Sequence, residues 1–240
     1  MRSGIRGTIV ESCGVAWPIC IGYVAVGIAF GVLAAQAGFS LIQIALMSVI
    51  VFAGSAQFIA VSMISSGAGI IAVILTAFMV NLRHVLMSSS LSLFLKGTHR
   101  GLLSAFAYGI TDETFAVNLI RFNRGDWDVR RALIVNQSAN AFWIVSTVAG
   151  GYLGELVPPG SFGIDYALTA MFLCLLVFQL SGKITVLVSA AAGIFSVAFF
   201  LLLPGNFHVI LASILAATLG VFLKTFSEKS PSREGTGHVV

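Results

Sequence analysis

Charge is scarce in this chain. Of 240 residues, 9% are Asp, Glu, Lys or Arg while 58% are apolar, and the mean hydropathy is +1.02. Soluble domains carry about 25% charged residues. A globule of this size has too little interior to hide so much apolar surface from water. A water-soluble fold is therefore excluded, whereas acyl chains are themselves an apolar solvent. Cysteine is also thin. Cys13, Cys20 and Cys174 show no C-x-x-C spacing, so they indicate neither a disulfide framework nor a zinc site and read as small core or lipid-facing residues. The sequence contains no G-x-x-x-x-G-K-[ST], no G-x-S-x-G and no H-E-x-x-H. It thus lacks the signatures of a nucleotide-driven pump, of an α/β hydrolase and of a zinc protease. No basic run is interleaved with aromatics, which argues against nucleic acid as a partner. No cofactor or metal is implied.

What is present is a series of long apolar runs between short polar breaks. They predict an all-α integral membrane protein of about eight transmembrane helices, at 14–36, 41–66, 69–95, 101–122, 130–153, 165–182, 184–203 and 206–224. Each is long enough for about 30 Å of hydrocarbon, and none has the short alternating pattern of a barrel strand. The last three are short and closely joined, so six or seven spans with a re-entrant segment is the alternative. Arg2 and Arg6 ahead of the first run, with Ala35-Gln36-Ala37 after it, suggest a signal peptide. The run from Val15 to Ala34 is longer than the roughly 7–15 residues of such a core, so it is read as a retained first span, with Pro18 as a kink or break. Domain limits follow: 1–13 is a cytoplasmic segment, 14–224 the transmembrane transporter domain, and 225–240 a polar cytoplasmic tail expected to be disordered.

Basic residues set the orientation. With both termini cytoplasmic in an inner or plasma membrane, Arg2, Arg6, Arg121, Arg124, Arg130, Arg131, Lys183, Lys224, Lys229 and Arg233 all lie inside. Lys96 and Arg100 form the one loop that violates the rule. Two stretches also resemble each other three spans apart. Ser55-Ala56-Gln57 matches Ser138-Ala139-Asn140, and each is followed by Leu-Thr-Ala, at 75–77 and 168–170. An odd offset reverses direction, so the matches suggest a 3+3 inverted repeat of the kind found in secondary transporters; chance similarity among apolar helices is the alternative.

The chemistry-bearing residues are those that place charge in lipid, which costs about 2.5–3.5 kcal/mol each on insertion scales. The third span holds Asn81-Leu82-Arg83-His84 and the fourth Thr111-Asp112-Glu113-Thr114. Counted from their shared turn, Arg83 and Asp112 lie at matched depth, about 17–20 Å in. An antiparallel hairpin would bring them together, either as a functional site or as an ion pair that only orients two helices. Asn136 and Asn140 share a helix face that continues through Trp143 and Thr147. Gly54-Ser55-Ala56-Gln57 is a small-residue patch where a helix could unwind and offer backbone groups. These amides and hydroxyls could equally bond only between helices.

The stretches Phe52-Ala53-Gly54-Ser55-Ala56-Gln57-Phe58, Val80-Asn81-Leu82-Arg83-His84 and Thr111-Asp112-Glu113-Thr114-Phe115, in this order, resemble the AzlC family over roughly residues 10–185. The resemblance implies the large subunit of a two-component exporter of valine, leucine, isoleucine and perhaps methionine, paired with a small AzlD-type (YgaH-like) membrane subunit. Met87 and the serines after the Asn-Leu-Arg-His motif fall in a variable stretch of that family, so substrate choice is left open. The expected assignments are Arg83, Asn81, His84, Ser55, Gln57, Asn136 and Asn140 for amino-acid binding and Asp112 and Glu113 for proton coupling. Phe58 and Phe115 are expected to receive the branched side chain. An intramembrane hydrolase built on Ser55 and His84 and a non-transporting scaffold are the competing readings.

Overall fold

The computed structural model describes residues 5–156, 182–202 and 207–229, together with isolated positions between 158 and 180. The sixth expected span, 165–182, and residues 230–240 of the tail lie mostly or wholly outside the described residues. The described chain is helical, with no strand among the described residues, and divides into two compact units, 1–172 and 173–240.

The first unit contains α1 (Ile5–Gln36), α2 (Leu41–Val51), α3 (Gly54–Ser65), α4 (Ile70–Ser92), α5 (Arg100–Tyr108), α6 (Asp112–Arg124) and α7 (Val129–Gly154). In the second, α8 (Lys183–Leu202) packs on α9 (Phe207–Lys229). Helix α9 runs to Lys229, past the expected end at 224. Four helices are long and apolar enough to cross a bilayer uninterrupted: Arg6–Gln36, Ile70–Ser92, Val129–Gly154 and Ile184–Leu202. Helix α1 continues through Pro18 instead of ending there.

The second and fourth expected spans are each broken in two, and this is the main departure from the sequence reading. Helices α2 and α3 have 11 and 12 residues, about 17 Å apiece, so neither half alone covers about 30 Å of hydrocarbon. The first break follows the β-branched pair Ile50-Val51, with Gly54 close behind, a composition that weakens helix. Phe52 there has φ +24°, a backbone region that non-glycine side chains rarely occupy. The second break, at 109–111, is shaped by close approach. A Cβ on Gly109 would lie 2.6 Å from Asn136 Cβ, so only glycine lets the chain pass α7 here. Helix α6 then restarts on a strong cap. Thr111 Oγ1 accepts from the Thr114 amide, the Thr111 amide donates to Thr114 Oγ1, and Asp112 and Glu113 occupy the first turn, where negative charge suits the positive helix end.

A break in lipid exposes backbone groups that must find partners. Side chains supply several. Asn136 Nδ2 donates to the Phe106 carbonyl at 3.0 Å and Gln137 Nε2 to the Ala105 carbonyl at 3.1 Å. Thr114 Oγ1 donates to the Gly109 carbonyl at 3.1 Å, and the Tyr108 hydroxyl donates to the Val49 carbonyl near the end of α2.

Helices α1 and α7 form the scaffold against which the broken helices are set. Their seam is made of small residues at spacings of four, Gly27 and Gly31 on α1 and Gly150 and Gly154 on α7. A Cβ on Gly31 would fall 2.1 Å from the Thr147 carbonyl oxygen, and one on Gly150 would fall 2.2 Å from that of Ile28. The backbones touch, as close packing in lipid requires. Beside this seam Phe30, Phe58 and Trp143 are buried and pack ring on ring.

Candidate functional site: an ion pair between two broken helices

Arg83 sits near the middle of α4, and its guanidinium reaches both helix restarts. Nη1 is 2.7 Å from Asp112 Oδ2 in the first turn of α6, and Nη2 donates to Ser55 Oγ in the first turn of α3 at 2.7 Å. The hairpin arithmetic thus brings the opposite charges together. Ser55 Oγ accepts from Arg83, and no Ser55–His84 hydrogen bond is present among the described residues. His84 is half-buried beside it and makes no hydrogen bond among the described residues. Two polar atoms of α4 are buried without a partner among the described residues: Arg83 Nε, a donor, and Asn81 Oδ1, an acceptor two residues earlier on the helix. Burying such a group unpaired costs about 1–3 kcal/mol, so the ion pair coexists with an unused donor on Arg83 itself, and α4 carries an unused acceptor at Asn81.

Glu113 points elsewhere. The Tyr23 hydroxyl, from α1, donates toward Thr111 Oγ1 and Glu113 Oε2, each at 2.7 Å. Tyr23 is 9% exposed, and its ring contacts Phe52 and Trp143 edge-on, with centroids 6.3 and 5.4 Å away. Sequence reasoning missed Tyr23. The available signal was a phenol in an apolar span, whose polar tip must find a partner, but that partner lies ninety residues away.

Three expected ligands are held in a second network, along the face of α7 that runs from Asn136 to Thr147. Asn136 Oδ1 accepts from Asn118 Nδ2 at 2.9 Å while its amide caps α5. Asn118 Oδ1 in turn accepts from Trp127 Nε1 at 2.9 Å. Asn140 Nδ2 donates to the Tyr108 hydroxyl at 3.2 Å. Gln57 Oε1 accepts from Trp143 Nε1 at 2.9 Å and its Nε2 donates to Ser48 Oγ at 3.2 Å; Ser48 Oγ lies 2.8 Å from Thr147 Oγ1. These amides are buried and paired. Phe58 is likewise packed on Phe30 in the core, away from a role as an open apolar wall, and Phe115 is half-buried against the same core. The proposed repeat units occupy unlike settings, because Ser55-Ala56-Gln57 opens a half-helix whereas Ser138-Ala139-Asn140 lies inside unbroken α7.

Comparison with known proteins gives the lineage. Residues 18–157 match the family model described as AzlC protein. The inner membrane protein YgaZ of Escherichia coli (strain K12) is 29% identical over 233 residues, covering 93% of this chain and 94% of that protein. The branched-chain amino acid transport protein AzlC of Bacillus subtilis (strain 168) is 30% identical over 210 residues, 85% of this chain and 80% of that protein. An uncharacterized membrane protein of Archaeoglobus fulgidus is 31% identical over 209 residues, 85% of this chain and 90% of that protein. No solved structure gives a significant match. With a family match over most of its first unit, relatives that are membrane proteins and helices fit to span a bilayer, this chain is an all-helical membrane protein that belongs to the AzlC family.

Proposed function

We propose that this chain is the large subunit of a secondary transporter that exports branched-chain amino acids in exchange for protons, working with a small AzlD-type membrane subunit. The observation that carries the reading is the Arg83–Asp112 pair between two half-helix starts, with Arg83 Nε buried and without a partner among the described residues, as is Asn81 Oδ1 on the same helix. A free amino acid presents a carboxylate and an ammonium a few ångströms apart. The guanidinium forks onto the carboxylate, aided by the amides of the first turn of α3. Asp112 and Asn81 Oδ1 accept from the ammonium. Ser55 orients Arg83, and His84 lies at the edge of the site. Gln57, Asn136 and Asn140 then act as struts that hold the broken helices open, a different task from the substrate contacts expected of them. Glu113, which has no cation bonded to it among the described residues, is the carboxylate left to take up and release a proton. The family relationship supports the substrate class, since one relative is named as a branched-chain amino acid transport protein. Eight spans in an inner membrane, with both ends cytoplasmic, complete the reading: two broken pairs and four unbroken helices account for six and α9 for a seventh, while the remaining expected span, 165–182, lies mostly outside the described residues.

Counterflow of labelled valine into proteoliposomes tests this, with and without the small subunit. Saturable uptake against unlabelled valine, competed by leucine and isoleucine, is expected. Absence of counterflow in both preparations, with the protein correctly inserted, overturns the transport reading.

A further inference from the structure

Glu113 is held by one unusual contact. The Tyr23 hydroxyl stands at the same 2.7 Å from a group that can change charge, Glu113 Oε2, and from one that cannot, Thr111 Oγ1. A phenol has a single proton to donate, so the two contacts cannot both be full hydrogen bonds from Tyr23. When Glu113 is ionised its oxygens only accept, and Tyr23 donates to it. When Glu113 is protonated that demand ends, and the phenol can turn its proton toward Thr111 Oγ1.

The mount around the phenol is rigid. Its ring is clasped by Phe52 and Trp143, and its own backbone carbonyl accepts from Ser146 Oγ on α7 at 3.1 Å. Thr111 is fixed as the cap of α6. The titratable groups facing this pair are Asp112 on α6 itself and His84 on α4; Arg83, next to His84, is bonded to Asp112, which leaves Tyr23 as the donor to Glu113 among the described residues.

We infer that Tyr23 is a positioning residue for the proton carrier, a two-position hydroxyl that holds the Glu113 carboxylate when it is charged and transfers its bond to Thr111 when Glu113 binds a proton. No covalent bond of Tyr23 changes. The proton joins the Glu113 oxygen, and Tyr23 keeps its own and only rotates. The charge state of Glu113 is thereby reported to α1, the helix seated on α7. This inference rests on Glu113 as the carrier.

The test is an infrared titration of the full chain in lipid nanodiscs. The protonated-carboxyl band of Glu113 is the one lost in Glu113→Gln. Tyr23→Phe keeps the ring contacts and deletes the donor. Losing a hydrogen bond to the charged form makes the proton harder to remove, so the band's midpoint should move to higher pH by about one unit. Efflux driven by a pH gradient should shift its pH profile in the same direction, and Tyr23→Phe should add nothing in a Glu113→Gln background. An unmoved midpoint, a Glu113 band that never titrates, or an equal effect of Tyr23→Phe in the Glu113→Gln background overturns the inference. Wild-type counterflow reads the transport proposal separately: a shifted band without counterflow leaves the Tyr23–Glu113 coupling standing and removes its transport role.

Discussion

The α1–α7 seam and the Arg83 site use lipid-embedded polarity in opposite ways. Along the seam and the adjoining face of α7, every polar side chain named above is buried and paired: Asn136 with Asn118 and the Phe106 carbonyl, Gln57 with Trp143 and Ser48, Thr147 with Ser48. At α4, a charge pair only about one-third exposed coexists with a buried donor on Arg83 and a buried acceptor on Asn81 that pair with nothing described. Paired polar groups fix one arrangement of helices. Unpaired ones raise the energy of that arrangement and become favourable when a ligand supplies what is missing. The difference separates scaffold from site more sharply than residue type does, since asparagine occurs in both.

The strongest way to break the comparison is through the seam. Gly31→Val would drive a side chain into the Thr147 carbonyl and the Gly151 amide, where a Cβ alone already stands at 2.1 and 2.5 Å. Backbone atoms cannot step aside as a flexible side chain can. Destabilisation of about 3 kcal/mol is expected, seen as loss of folded protein from mild detergent. Normal thermal stability would show that the two helices are not packed backbone to backbone. The scaffold amides should come next. Asn136→Leu leaves Asn118 Nδ2 and the Phe106 carbonyl unpaired, with a loss of about 2 kcal/mol and a lower melting temperature, while the KM of whatever protein inserts stays near wild type. A raised KM with unchanged stability would move Asn136 from scaffold to site.

These contrasts were only partly legible in the sequence. The meeting of Arg83 and Asp112 was, because charge in lipid is costly and residue counting from a shared turn gives depth. The start of α6 was missed, since 101–122 was read as one span, although Thr111 with acidic residues just after it is a capping pattern. The helix breaks were hidden because hydropathy averages across them: Val51-Phe52-Ala53 is as apolar as the helices it separates, and only the Gly54 patch hinted at unwinding. Gln57, Asn136 and Asn140 were expected at the substrate, and the particular partners they bond on neighbouring helices were not foreseen, because an amide on a helix face looks the same in sequence whether it binds a ligand or a neighbouring helix. What decides is the partner, and for Gln57 that is Trp143, far along the chain. The link from Tyr23 to Glu113 was unreadable for the same reason.

Arg83→Lys probes the site with a smaller effect on the fold. Charge is kept, so Asp112 still has a counter-ion, but the fork to Ser55 and the carboxylate is lost. Stability should fall by no more than about 1 kcal/mol, whereas labelled-valine counterflow should drop at least roughly tenfold, the equivalent of one good hydrogen bond to a charged group. Wild-type counterflow in Arg83→Lys would show that Arg83 serves only to pair with Asp112.

The smallest expected effect on stability is also the most discriminating. Asn81 and Asn136 are the same residue type on membrane helices, but Asn81 Oδ1 is buried without a described partner whereas Asn136 Oδ1 receives Asn118. Leucine has the heavy-atom count and branching of asparagine with somewhat more bulk, and the same added bulk enters at both positions, so comparing the two Asn→Leu changes isolates the amide. At 136 the change strands two partners. At 81 it strands none and removes the burial penalty of Oδ1, so the melting temperature should stay level or rise, by the equivalent of about 1 kcal/mol at most. If Asn81 Oδ1 serves the substrate ammonium, the same variant should nonetheless raise the KM for valine several-fold, by loss of one hydrogen bond to a charged group. Detergent melting curves and counterflow at graded valine concentrations read the two effects independently. A clear loss of stability in Asn81→Leu would mean that Oδ1 is paired in the membrane, and Asn81 would then belong with the scaffold; unchanged stability with unchanged KM would remove it from the substrate contacts and leave Arg83 and Asp112 to hold the amino acid.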